Sequence, residues 1–320
     1  MSAKQRIFLI VGPTASGKTA VSIDAALSMN AEIVSADSIQ VYRRLDIGSA
    51  KPALEERRWI PHHLMDCIDL DDTSYNVSIY RERAVSAIRE IAERGKVPLI
   101  VGGTGLYVNS LIFPLNFSAA EPDNELRSRL LAVEQCEKGS LHRMLSEVDP
   151  ASAQRLHAND TKRIIRALEV FEKTGVPLSE HGGDFANSRG ADIEFEPVIA
   201  GITMDRARLY ERIERRIDLM LEQGLVDEVD SILADGFDPA LPALQGLGYK
   251  QLIMFRNGEL SYDEAVELIK RDTRRFAKRQ ISWFKRDKRI RWFSLDKYGD
   301  ELSAAVIEFF NGADIGESQP

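Results

Sequence analysis

Cysteine is scarce. Cys67 and Cys136 are the only two in 320 residues, they stand far apart, and neither belongs to a C-x-x-C pair. That excludes a disulfide-stapled scaffold and a zinc ribbon, and both thiols are expected to be buried fillers. Long apolar runs are also missing. Only five apolar residues, Ile7 to Val11, separate the polar N-terminus from Gly12-Pro13. That is too few for a signal-peptide core or for the roughly 20 residues of a membrane span, so a cytoplasmic protein with no membrane partner is expected. Histidine numbers five. The adjacent pair His62-His63 has no clustered third ligand, and strand neighbours point to opposite faces, so the pair reads as structural rather than metal-binding.

Positive charge is in deficit overall, at a formal net charge of −8. Taken alone, that balance argues against nucleic acid. Yet from Lys270 to Arg291 eleven Lys or Arg stand against two Asp, which leaves the rest of the chain strongly acidic. A basic strip on an acidic body suits a partner that carries phosphates at one place. A solvated helix face is the plainer alternative. With 44% hydrophobic and 29% charged residues, the chain can bury a core for one large or two modest domains.

What is present is a complete G-x-x-x-x-G-K-[ST] loop, Gly12-Pro13-Thr14-Ala15-Ser16-Gly17-Lys18-Thr19, directly after the apolar run. The run reads as a buried parallel strand and Ala20 to Ala26 as the opening of a helix, the context this motif requires. Backbone N–H groups and the helix N-terminus then cradle a diphosphate, Lys18 adds a point charge, and Thr19 offers a hydroxyl to Mg²⁺. The occupant need not be ATP.

Ala31 to Ser35 reads as a second strand that delivers Ala36-Asp37-Ser38-Ile39-Gln40 at its carboxyl end, where open α/β sheets place their sites. A helix over 78–94 stops at Gly95, and Val97 to Val101 is a third strand running into Gly102-Gly103-Thr104-Gly105. Strands alternating with helices predict an α/β fold, a P-loop NTPase-like parallel sheet with helices on both faces. From about Asn116 no β-rich run appears until Pro197, which predicts a helical insertion. Within it Asp123 and Asp160 are candidate caps, a helix runs over 161–174, and Gly182-Gly183 and Ser188-Arg189-Gly190 mark a polar loop. Pro197 to Ile202 returns the chain to the sheet. Arg212 and Arg216, four apart on the next helix, can reach one anion. Ser261 and Glu264 form a capping box for the basic helix, where Lys270, Arg274 and Lys278 make one row. The tail after Asn311 is expected to be disordered.

The loop Gly12 to Thr19, Asp37 to Arg43 with Leu45-Asp46-Ile47-Gly48, and Gly102 to Tyr107 together resemble the tRNA dimethylallyltransferases. Arg163 to Glu169, Gly248-Tyr249-Lys250-Gln251 and Thr273 to Gln280 extend the resemblance, in order, over nearly the whole chain. Ser49 departs from a usual Thr, Gln245-Gly246 falls where the family varies, and no Cys/His zinc-finger pattern of the eukaryotic relatives is seen, so a bacterial-type member is expected.

The resemblance implies a catalytic core of residues 1–117 and 197–320, and a helical insertion of residues 118–196 set against a tRNA anticodon stem-loop. It implies transfer of the allyl group of dimethylallyl diphosphate to N6 of the adenosine 3′ to the anticodon, by a monomer. On it, Lys18, Thr19 through Mg²⁺, and Arg212 or Arg216 would carry the diphosphate, and Asp37 would accept the amine proton. Ser38, Ile39, Gln40, Thr104, Arg127, Lys162, Arg163, Arg166, Lys270, Arg274 and Lys278 would contact the tRNA. Two rivals use the same loop. A small-molecule kinase calls for an apolar strand ending in a magnesium-binding Asp, where Leu99-Ile100-Val101 ends in glycines. A non-catalytic, nucleotide-switched RNA-binding protein explains the basic helix but leaves Asp37 without a task.

Overall fold

The apolar run Ile7 to Val11 forms most of β1 (Gln5–Val11), a central strand with parallel neighbours on both edges. The computed structural model describes residues 4–114, 123–180 and 194–315. Two compact units divide the chain, one of Met1–Leu111 with Glu194–Pro320 and one of Ile112–Ile193. The first begins β1, α1 (Lys18–Met29), β2 (Ala31–Ala36), β3 (His62–His63), α2 (Val77–Glu93), β4 (Val97–Gly102) and α3 (Gly105–Ile112), the last residue of α3 belonging to the second unit. The second carries α4 (Asn124–Cys136), α5 (Ser140–Val148), α6 (Pro150–Arg155) and α7 (Thr161–Thr174). The first then resumes with β5 (Phe195–Thr203), α8 (Arg206–Glu222), α9 (Leu225–Ala234), α10 (Tyr249–Arg256), α11 (Tyr262–Phe284), β6 (Arg291–Ser294), α12 (Leu295–Tyr298) and α13 (Leu302–Ile315).

The strands lie in the order β3-β2-β4-β1-β5-β6, all parallel. Alternate residues of β1 face opposite ways, and both sets are buried. Phe8 and Ile10 pack with Val21 and Ala25 of α1 and with Val306 and Phe310 of α13, while α2 packs against β2 and β4. The parallel α/β sheet is therefore as expected. Register aligns its working edge: Val11 stands beside Gly102 and Gly201, and Ala36 beside Gly102. The glycine loop, the Asp37 turn and the Gly103-Thr104 turn thus leave the sheet on the same side. A second core of Leu209, Ile213, Ile217, Val229, Leu252 and Ile269 joins α8, α9, α10 and α11. In the insertion, Leu126, Leu130, Leu145, Ile164 and Leu168 make a helical core.

Several local expectations change. Asp123 caps α4 through Oδ1, which accepts Leu126 N–H at 3.0 Å. Asp160 occupies the cap position of α7 but makes no cap bond, because Arg163 claims its carboxylate at 3.2 Å. Cys67 is half-buried, and Cys136, on the last turn of α4 beyond the Leu126 and Leu130 stripe, is exposed rather than a buried filler. The C-terminal helix carries on past Asn311 to Ile315, extending a segment anchored by Leu302, Val306 and Phe310. Gly182-Gly183, Ser188-Arg189-Gly190 and the join at 117/118 lie outside the described residues. The histidines are structural. His63 Nε2 meets Glu32 at 2.7 Å, and His62 Nδ1 meets the Ile60 carbonyl at 2.8 Å.

Glu32 sits on the buried edge of β2 at 4% exposure. Burial pushes its pKa up, but hydrogen bonds from His63, Lys96 and Arg94 outweigh that and hold it at about 2. A carboxylate depressed from its ordinary 4.5 stabilises the fold above that pH and loses the contribution as pH falls toward 2. The shift corresponds to about 3 kcal/mol. In urea melts, Glu32→Gln should therefore cost a few kcal/mol at neutral pH. Its deficit should shrink steadily between pH 4.5 and 3, whereas a constant deficit would show that the cluster does not titrate.

Candidate active site

The glycine loop is shaped by close backbone approach. At Gly12, φ is +150°, and a Cβ there would stand 2.5 Å from the Ile202 carbonyl oxygen. A Cβ at Gly102 would stand 2.1 Å from the Ala36 oxygen. Only glycine fits either position. Gly17, at φ +94°, turns the chain into α1, and the Ser16 N–H bonds the Pro13 oxygen at 3.3 Å. The Ser16 hydroxyl is buried in the loop with no hydrogen-bond partner among the described residues.

Lys18 folds back over this loop, its Nζ donating to the Pro13 carbonyl at 2.6 Å. Burial and then the Arg216 cation pull its pKa down to about 7, against the opposing pull of Asp37. Arg216 is itself shifted down by burial and by Arg212, and drawn back by Asp37 and Glu56. Arg212 donates from Nε to the Ala15 carbonyl at 2.9 Å. Both arginines therefore reach the loop. Thr19 is exposed on the first turn of α1, beside Lys18.

Asp37 follows β2 directly. Its Oδ1 accepts the N–H of Ile39 at 2.9 Å and of Gln40 at 3.3 Å, closing a tight turn. Thr104, one residue past Gly103, accepts Ser38 N–H at 3.0 Å through Oγ1. The Gln40 amide is spent inside the protein, donating to the Ser49 and Ala50 carbonyls at 3.2 and 3.3 Å and accepting from Ser35. It braces the turn.

Two cavities meet at the loop. One, of about 740 Å³, is basic on balance, lined by Lys18, Arg58, Arg212, Arg215 and Arg216 against Asp24 and Glu56. The other, of about 430 Å³, is mixed. It holds Asp37, Ser38 and Thr104 on one wall and Met220, Ile269 and Phe276 on another, and also touches Thr14, Ile39 and Gln40. Ala15, Lys18, Thr19 and Arg216 line both, so two of the cations stand in a shared wall.

The remaining basic positions lie elsewhere. In the insertion, buried Glu169 binds Arg127 through both carboxylate oxygens, at 2.8 and 2.9 Å, and Arg166 at 2.6 Å. Lys162 and Arg163 are exposed on α7. On α11, Lys270 pairs with Asp218 at 2.7 Å and Arg274 pairs with Glu214, both acids of α8. Of that row Lys278 is exposed, and Lys270 and Arg274 are half-buried. Arg215 was not singled out in the sequence, although it lies three past Arg212 on the same helix. Arg58 gives no sequence signal. Nor does Glu228, whose carboxylate accepts the N–H groups of Asp46, Ile47 and Gly48 and the Tyr249 hydroxyl.

A family model described as IPP transferase matches residues 40–287. The chain belongs to the IPP transferase family. A tRNA dimethylallyltransferase of Carboxydothermus hydrogenoformans is 48% identical over 92% of this chain and 93% of that one. The full-length tRNA isopentenylpyrophosphate transferase of Bacillus halodurans is 38% identical and superposes with a TM-score of 0.72, covering 97% of this chain and 96% of that one. A eukaryotic dimethylallyltransferase whose crystallographic snapshots capture it acting on tRNA is 27% identical with a TM-score of 0.82, covering 99% and 80%. In this IPP transferase the family model begins at Gln40, just after the loop and Asp37, while the relatives' similarity extends over nearly the whole chain.

The lowered Lys18 pKa sets a pH dependence. Free Lys18 is protonated below about 7. Its affinity for an anion should therefore fall by up to about tenfold per pH unit above that point. Calorimetric titration with inorganic diphosphate should show this alkaline weakening in the wild type and a flatter profile in Lys18→Met. Identical profiles would exclude Lys18 as the group responsible.

Proposed function

We propose that this enzyme transfers the dimethylallyl group of dimethylallyl diphosphate to N6 of the adenosine 3′ to the anticodon of tRNA, and that it works in the cytoplasm as a monomer. The observation that carries this reading is the shared wall: Lys18 and Arg216 border the cavity that also holds Asp37 and Thr104. The diphosphate lies on the loop, with Arg212, Arg215 and Arg216 around it. The adenine enters beside Asp37 and Ser38. The carbon to nitrogen bond forms as the carbon to oxygen bond of the diphosphate breaks, and the N6 proton passes to Asp37. Cations at the leaving group gain most as its charge develops. Asp37 Oδ2 is the acceptor, since Oδ1 is held by the turn.

Mg²⁺ binds through one or two protein oxygens completed by phosphate oxygens and water. The exposed Thr19 hydroxyl at the end of the loop fits that donor set, and the ion would supply further charge neutralisation of the diphosphate. Exposed Lys278 and the Glu169-braced Arg127 and Arg166, with Lys162 and Arg163, meet the tRNA backbone.

Incubation with unmodified tRNA and either labelled dimethylallyl diphosphate or labelled ATP tests the reading. Label from the prenyl donor should appear in the RNA, and label from ATP or no label at all would overturn it. Asp37→Asn should slow single-turnover transfer by about 10²–10⁴-fold with both substrates saturating. A loss under about tenfold would make Asp37 a positioning group. Lys278→Ala should reduce the log-log salt slope of stem-loop binding by about 0.7–0.9. Lys270→Ala, which breaks an ion pair to α8, should change that slope far less.

A further inference from the structure

Gln280 is a polar side chain on the packed face of α11, only 6% exposed. A buried amide at such a place needs partners at both ends. It has them, and they come from two different turns. Its Oε1 accepts the N–H of Thr14 at 2.8 Å, and its Nε2 donates to the Gly103 carbonyl at 3.0 Å. Thr14 belongs to the glycine loop. Gly103 precedes Thr104, whose hydroxyl receives Ser38 N–H beside Asp37.

The contact is built tightly. A Cβ at Gly103 would stand 2.3 Å from Gln280 Nε2, so the amide occupies the space a side chain would need. One helical turn on, the Trp283 indole fills the corresponding space at Gly105, where a Cβ would stand 2.2 Å away. The same helix lines the mixed cavity with Thr273, Phe276 and Arg279. From these contacts we infer that Gln280 is a positioning residue, the amide that fixes the spacing between the leaving-group loop and the turn carrying the proton acceptor. It touches neither substrate. Displacement of reacting groups by about 1 Å can cost on the order of 10²-fold in rate, and one side chain spanning both turns controls that distance.

The inference rests on the proposed transfer reaction, so the test needs a readout independent of it. Gln280→Met keeps the shape and removes both hydrogen bonds, and Gly103→Ala attacks the same contact from the other side. Each should slow saturating single-turnover transfer by about 10–100-fold. Stem-loop affinity should stay within about twofold and the thermal midpoint within a few degrees, which a loss of folding would not allow. Because the two act on one contact, the double variant should be slower than the worse single by no more than about threefold. Rates within about threefold of wild type, or effects that multiply, would overturn the inference. Should Gln280→Met fail to fold, Gly103→Ala carries the rate test. If the wild type transfers no label, the proposed function falls, and affinity for inorganic diphosphate then tests Gln280 by itself. That affinity should drop about tenfold in either variant as the loop relaxes, and no change would overturn the role.

Discussion

The site depends on a concentration of positive charge that the carboxylates beside it, Asp24, Asp37 and Glu56, offset only in part. Lys18 lies against the Pro13 carbonyl with Arg216 close enough to depress its pKa, and Arg212 stands over Ala15. Burial penalises the charges of Lys18 and Arg216, and like charges repel. Asp37 offers the opposing attraction on both Lys18 and Arg216. A diphosphate would add the missing counter-charge, and backbone N–H groups of the loop would share it. The same arrangement suits catalysis, because a departing diphosphate carries more charge than one still bonded to carbon.

Holding that cluster requires support away from it. The α8 helix brings Arg212 and Arg216, and its acids Glu214 and Asp218 bind Arg274 and Lys270 of α11. Helix α11 in turn reaches back to the loop through Gln280. Two paired helices thus both reach the loop, at Ala15 and at Thr14. The basic strip consequently has two parts: charges turned inward to hold α8, and charges such as Lys278 left at the surface. Surface pairs of this kind contribute about 0–1 kcal/mol each, so their value lies in geometry more than in stability.

Much of this was legible in the residues. Strands β1, β2, β4 and β5 could be read because a strand buried on both faces is a continuous apolar run, and the loop because its spacing is dictated by the anion it surrounds. The position of Asp37 at the end of β2 was legible, while its proposed role rests on the family resemblance. What could not be read were contacts between distant segments. His62–His63 is too short to show as a strand, and Gln40 looked available for a base because nothing local shows Ser35, Ser49 and Ala50 consuming its amide. Lys270 and Arg274 form a helical row that looks solvent-facing until α8 is laid against it. Asp160 has the composition of a cap, but a nearby arginine competes for it.

Lys18 and Arg216 are held partly out of water and short of counter-charge, and the state of Lys18 reports on that directly. A ¹³C NMR titration of the Lys18 Cε signal, without and with inorganic diphosphate, measures that state. A pKa of about 7 is expected in the free enzyme, against an ordinary value of 10.5, with a marked rise when diphosphate binds. An ordinary value in the free enzyme, or a depressed one that diphosphate leaves unmoved, would contradict it.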